Sequence, residues 1–135
     1  MESILTGLNP QQAEAVTTTE GPLLILAGAG SGKTTVLTKR IAWILQSGLA
    51  QRSQILAVTF TNKAAREMVE RIEGLCGSGF FSNVGTFHSV CARWLRREAK
   101  YLDVSPSFSI YDTEAQVALM RDILKELNID GQKHA

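Results

Sequence analysis

The chain has 135 residues, 44% hydrophobic and 20% charged, and its 14 Lys and Arg stand against 13 Asp and Glu, a formal charge of +1. That length suits one domain with a buried core and excludes two full α/β domains. The longest apolar runs, around Leu23 to Ala27 and Ile55 to Val58, fall far short of the ~20 residues of a membrane span, and the first residues do not read as a basic-then-apolar leader. A soluble, cytoplasmic protein without a membrane partner is the expectation. Cys76 and Cys91 lack C-x-x-C spacing and read as buried thiols rather than as a disulfide or metal ligands.

Along the chain, the first helical pattern runs from Leu8 to Val16, with Asn9 as its N-cap and Pro10 at its first position. Leu23 to Leu26 is an apolar run of strand length. After the glycine-rich turn that follows it, Val36, Ile41, Ile44 and Leu45 share a helical face, and Gly48 ends that helix. Ile55 to Phe60 suits a buried parallel strand, and a helix from Asn62 to Ile72 turns Ala65, Met68, Val69 and Ile72 inward. Gly74, Gly77 and Gly79 mark a loop. A short strand at Asn83 to Phe87, a helix through Arg97, a loop holding Pro106, a strand at Phe108 to Tyr111 and a helix from Thr113 to Leu127 complete the order, before a polar tail at Gly131 to Ala135. The β-α-β-α succession predicts an α/β fold with a parallel sheet, whose ligands sit at the carboxyl ends of the strands.

The turn after Leu26 reads Ala27-Gly28-Ala29-Gly30-Ser31-Gly32-Lys33-Thr34. Wrapping backbone N–H groups around a phosphate needs residues with little or no side chain, which the three glycines supply. Lys33 places a point charge between the outer phosphates, Thr34 offers a hydroxyl to Mg²⁺, and the helix that starts there adds its positive end. The segment is therefore a P-loop for a nucleoside triphosphate. Ala27 stands where the general pattern has glycine, a change small enough to keep the turn.

Charge is laid out unevenly. Lys33, Lys39, Arg40, Arg52, Lys63, Arg66 and Arg71 face only Glu67 and Glu70 in the same stretch, and Arg93, Arg96, Arg97 and Lys100 cluster around Glu98. A basic face on the first half is what a phosphate backbone needs, although solvated helix surfaces give the same pattern.

The strand ends carry unusual residues: the P-loop, then Thr59-Phe60-Thr61-Asn62-Lys63, then Gly85-Thr86-Phe87-His88-Ser89. With Leu8-Asn9-Pro10-Gln11-Gln12 ahead of them, the set resembles the UvrD/Rep-type superfamily 1 DNA helicases, over most of the chain. The resemblance implies a P-loop (RecA-like) parallel sheet with flanking helices, incomplete over about 1–90, and the start of an inserted helical subdomain over 91–135. It implies the N-terminal segment of an ATP-dependent helicase moving 3′ to 5′ on single-stranded DNA or at a single-strand/duplex junction. ATP and Mg²⁺ would lie on Ala27, Gly28, Ala29, Gly30, Ser31, Gly32, Lys33, Thr34 and Thr35, with Lys33 and Thr34 catalytic and Thr34 on the metal.

Gln12 then reads adenine, a role its amide suits chemically; its spacing from Asn9 equally suits a capping box. Phe60, Thr61, Asn62 and Lys63, with Thr86, Phe87 and His88, contact DNA: aromatics stack on bases, and hydroxyls and amides meet phosphates. Core packing is the competing reading of Phe60 and Phe87, and helix capping that of Asn62 and His88. Lys63, Arg66, Arg93 and Arg97 are candidate phosphate neighbours. Such helicases hold Mg²⁺ with a strand-end Asp-Glu, which Tyr111-Asp112-Thr113-Glu114 is not; there Asp112 or Thr113 caps the next helix. The missing C-terminal domains of the parent chain are the implied partners, and the isolated piece is expected to be inactive. A nucleotide- or DNA-binding stub is one alternative. A small P-loop kinase or GTPase is another, faintly suggested by Asn62-Lys63-Ala64-Ala65, where Ala65 replaces a guanine-reading Asp.

Overall fold

The computed structural model describes residues 2–28 and 30–129; Ala29 of the glycine-rich turn and the tail at Gly131 to Ala135 lie outside them. The chain divides into two compact units, Met1–Trp94 and Leu95–Ala135. The first holds α1 (Glu2–Leu5), α2 (Pro10–Thr17), α3 (Lys33–Gln46), a 3₁₀ turn at Arg52–Gln54, β1 (Ala57–Thr59), α4 (Asn62–Cys76), β2 (Val84–Thr86) and most of α5 (Phe87–Arg97). The second holds the end of α5, a 3₁₀ turn at Ala99–Tyr101 and α6 (Thr113–Glu126).

β1 and β2 pair in parallel, with Ala57 opposite Val84, Val58 opposite Gly85 and Thr59 opposite Thr86. A parallel pair needs a crossover, and α4 is that crossover. Its inward side chains Met68 and Ile72 pack with Ile41, Ile55, Ala57, Phe81 and Val84. A second cluster joins Ile4, Val16, Val36 and Ala42, so α1, which no sequence pattern marked, closes over α2 and α3. Truncating the fully buried Ile72 to Ala removes a side chain of the kind whose loss costs about 2–5 kcal/mol.

Three expectations fail for the same physical reason. Leu23 to Leu26 forms no strand, and Leu24 and Leu26 are 80% and 86% exposed. Phe108 to Tyr111 is likewise no strand. Ile55 to Phe60 contracts to Ala57–Thr59. An apolar run becomes a strand only where a neighbour takes its backbone hydrogen bonds, and among the described residues β1 and β2 have only each other. At Phe108 the ring instead lies under the Arg96 guanidinium, 5.0 Å from its centroid.

Helix α4 runs on to Cys76 past the expected end at Ile72, and stops at Gly77 with φ 78°. Its last carbonyls are held from outside. Gln46 Nε2 donates to Leu75 O at 3.0 Å, and Arg52 Nη2 donates to Cys76 O at 3.1 Å and Gly77 O at 2.8 Å. Gly79 permits this approach, since a Cβ there would lie 2.6 Å from Arg52 Nε. Cys76 and Cys91 are free and half-buried; burial pushes the Cys76 thiol up from its ordinary pKa, with Arg52 partly opposing.

Candidate nucleotide and nucleic-acid sites

The turn into α3 is glycine-rich, and two of its residues have left-handed backbone. Gly30 and Gly32 have φ of 73° and 80°, the left-handed region where a side chain is strained, and the space a Cβ would take at Gly28 is open. Gly32 is the N-cap residue of α3 and supplies no side-chain hydrogen bond. The first N–H groups of the helix, with the positive end of its dipole, therefore point at the turn without a side-chain acceptor. Lys33 Nζ donates to Ala27 O and Gly28 O, both at 2.7 Å, which stations its charge at the mouth of the turn. Ser31 Oγ donates to Gly28 O at 2.6 Å. Thr34 and Thr35 are exposed in the first turn of α3.

Gln12 forms the capping box and also reaches the glycine-rich turn. Its Oε1 accepts from Asn9 N–H at 3.0 Å while Asn9 Oδ1 accepts from Gln12 N–H at 2.8 Å, so the capping box forms. Its Nε2 donates to Ser31 O at 3.1 Å, which ties the start of α2 to the glycine-rich turn. Between them lies a cleft of about 210 Å³ lined by Asn9, Gln11, Gln12, Ile25, Leu26, Ala27, Ser31 and Lys33.

The other two turns are built differently. Thr61, not Asn62, caps α4, its Oγ1 accepting from Ala64 N–H at 3.2 Å, because Asn62 is already the first helical residue. Thr86 is 8% exposed, and its Oγ1 accepts from Ser89 N–H at 3.2 Å to cap α5. What these turns present outward is aromatic. Phe60 is 97% and Phe87 63% exposed, so neither ring packs into a core among the described residues. The register opposes Thr59 to Thr86, so Phe60 and Phe87 each leave the end of one of two neighbouring strands. His88 stands edge-on to Phe87, ring centroids 6.2 Å apart. Asn62, Lys63 and His88 are exposed, and Lys63 Nζ is 3.9 Å from Glu67 Oε1. Of the candidate phosphate neighbours, Arg93 donates to Val84 O at 3.2 Å and Arg97 to Glu98 Oε1 at 2.7 Å, while Arg66 is exposed.

Among the described residues no group of His, Cys, Asp and Glu could hold a metal ion, and no helix is long and apolar enough to cross a membrane. The fold and its strand-end turns thus define an α/β protein with an open, glycine-rich helix start beside two aromatic-bearing ones. The chain belongs to the family of the UvrD/REP helicase N-terminal domain, whose model matches residues 8–135. It is 53% identical over 131 residues to the ATP-dependent DNA helicase PcrA of Bacillus subtilis (strain 168), covering 96% of this chain. It is also 50% identical over 134 residues to PcrA of Staphylococcus aureus (strain Mu50 / ATCC 700699), and 49% over 136 to PcrA of Leuconostoc citreum, covering 98% and 99% of this chain. The chain spans about 18% of the length of each of these relatives.

Proposed function

We propose that this chain is the N-terminal ATP- and DNA-binding segment of a 3′–5′ ATP-dependent DNA helicase of the UvrD/Rep type, acting in the cytoplasm. The observation that carries the reading is the uncapped start of α3: left-handed Gly30 and Gly32, then Lys33 with its ammonium at the mouth of the turn. These residues fit a triphosphate. Gly28 to Gly32, with Ala27 and Ala29, cradle it, Lys33 and the first N–H groups of α3 hold its charge, and Thr34 and Thr35 lie where a Mg²⁺ ligand is wanted. Gln12, at the edge of the same cleft, recognises adenine by exchanging its contacts with Asn9 and Ser31 for the base. ATP supplies the phosphoanhydride whose hydrolysis drives stepping.

The cleft of about 210 Å³ is small beside the roughly 300–1,000 Å³ of pockets that enclose a drug-sized ligand. The residues here accordingly form one wall of the nucleotide site. Residues 1–90 belong to a RecA-like domain and 91–135 open a helical subdomain, a division close to the boundary between the compact units at Trp94 and Leu95. The exposed Leu23 to Leu26 supports a sheet completed by strands from the rest of a parent chain; the family resemblance adds a metal-holding Asp-Glu and a second domain there. DNA, as a single strand or a junction, lies along Phe60, Thr61, Asn62, Lys63, Phe87 and His88, with buried Thr86 holding the last two in place.

Isothermal titration of the purified chain with ATP and Mg²⁺ tests this. Weak binding that Lys33→Ala lowers about 10- to 150-fold, with negligible hydrolysis, is expected. DNA-stimulated hydrolysis by these residues alone would contradict the reading of an incomplete site, and tighter binding of GTP than ATP would favour the kinase or GTPase class.

A further inference from the structure

Arg93 looks from the sequence like a phosphate contact; the residue is exposed, and one N–H of its guanidinium is committed to a backbone carbonyl. Ala57 N–H donates to Asn83 O, which turns the next carbonyl, that of Val84, to the side of β2 away from β1. Arg93 Nη2 donates to that carbonyl at 3.2 Å. The residue between, Gly85, is buried and leaves no spare room: a Cβ on it would lie 2.7 Å from Ser89 Oγ and 3.3 Å from Arg93 Nη2. Two further bonds tie α5 to the strand, Ser89 Oγ to Thr86 O at 2.9 Å and Trp94 Nε1 to Asn83 Oδ1 at 3.0 Å. Between these anchors stand Phe87 and His88, exposed and edge-on to each other.

We infer that Arg93 is a positioning residue for DNA binding: by seizing the outward carbonyl of Val84 across Gly85, it sets the pitch of α5 and so the aim of Phe87 and His88. The inference rests on the reading of Phe87 and His88 as DNA contacts. It requires that Arg93 act through geometry, not through its charge on a phosphate, and the two differ in salt dependence. A direct phosphate contact contributes about one to the slope of log affinity against log salt, and a positioning residue contributes nothing.

The test measures fluorescence anisotropy of labelled oligothymidylate with the 135-residue chain across a salt series, for wild type, Arg93→Gln, Gly85→Ala, Phe87→Ala/His88→Ala and the triple combination with Arg93→Gln. ATP affinity serves as the control for folding. Arg93→Gln is expected to weaken oligothymidylate binding about fivefold, the loss of one hydrogen bond, with the salt slope and ATP affinity unchanged. Gly85→Ala, which removes no charge, weakens it in the same direction, and Arg93→Gln adds nothing in the Phe87→Ala/His88→Ala background. A slope lower by about one, an unchanged affinity, or a loss that persists in that background overturns the inference. If Phe87→Ala/His88→Ala itself leaves binding intact, the DNA-contact reading fails and leaves Arg93 nothing to position.

Discussion

The start of α3 and the starts of α4 and α5 occupy equivalent places, each following a strand or an extended run, and their ends are finished in opposite ways. At α4 and α5 a threonine hydroxyl takes a first-turn N–H, Thr61 from Ala64 and Thr86 from Ser89. At α2 and α6 Asn9 and Asp112 do the same. Gly32 leaves α3 without a side-chain cap. An N-cap side chain is worth about 1 kcal/mol, so its omission at one helix gives up stability that an anion can restore. At the capped helices a side chain already takes one of those first-turn N–H groups. Whatever they bind must meet exposed side chains, and there the chain sets Phe60, Asn62, Phe87 and His88.

Substitutions that separate the two kinds of turn sharpen the contrast. The largest effect is expected for Lys33→Ala, which removes charge-assisted contacts worth about 1.5–3 kcal/mol and so lowers ATP affinity about 10- to 150-fold in a calorimetric titration, with oligothymidylate binding unchanged. Phe60→Ala should do the reverse, weakening oligothymidylate by up to ~3 kcal/mol while ATP affinity holds, and because the ring is exposed the melting free energy should stay within about 0.5 kcal/mol. Gly32→Ala forces a side chain into φ 80° with its Cβ 3.3 Å from Gln12 Nε2. It should cost about 1–2 kcal/mol in urea unfolding and weaken ATP more than DNA. Thr61→Ala is the mildest, about 1 kcal/mol of stability from the lost cap with ATP affinity intact. A fall in ATP affinity on Thr61→Ala as large as that on Lys33→Ala would break the distinction.

What could be read from sequence was what local chemistry determines. Asn9 as cap, Pro10 at the first helical turn and the glycines before Lys33 act within a few residues of themselves, and the structure forms α2 and α3 as that chemistry requires. The inward faces of α3 and α4 followed from periodicity, and Val36, Ile41, Ala65, Met68 and Ile72 are buried. The strand expected at Leu23 to Leu26 did not form, because a strand depends on a neighbour that no local pattern supplies. Choices between adjacent residues were equally hidden. Thr61 and Asn62 are both good caps, and only the helix start decides for Thr61. Gln12 had two roles open, a capping box from its spacing and adenine recognition from the family resemblance; its Nε2 bond to Ser31 spans a separation no motif encodes. Arg52 read as part of a basic face and Arg93 as a phosphate neighbour, yet Arg52 holds the carbonyls of Cys76 and Gly77 and Arg93 that of Val84. A glycine where an arginine must approach, Gly79 for one and Gly85 for the other, was the single signal available, and it is visible only with the partner in view.

The open helix start and the capped ones can be told apart in one experiment, the amide ¹H–¹⁵N spectrum of the chain titrated separately with ATP–Mg²⁺ and with oligothymidylate. The account predicts that ATP shifts the amides from Gly28 to Thr35 and the side-chain amide of Gln12, leaving Phe60 to Asn62 and Phe87 to His88 in place, and that oligothymidylate does the converse. ATP shifts centred on Thr61 to Ala64 or Thr86 to Ser89, with the start of α3 unmoved, would contradict it.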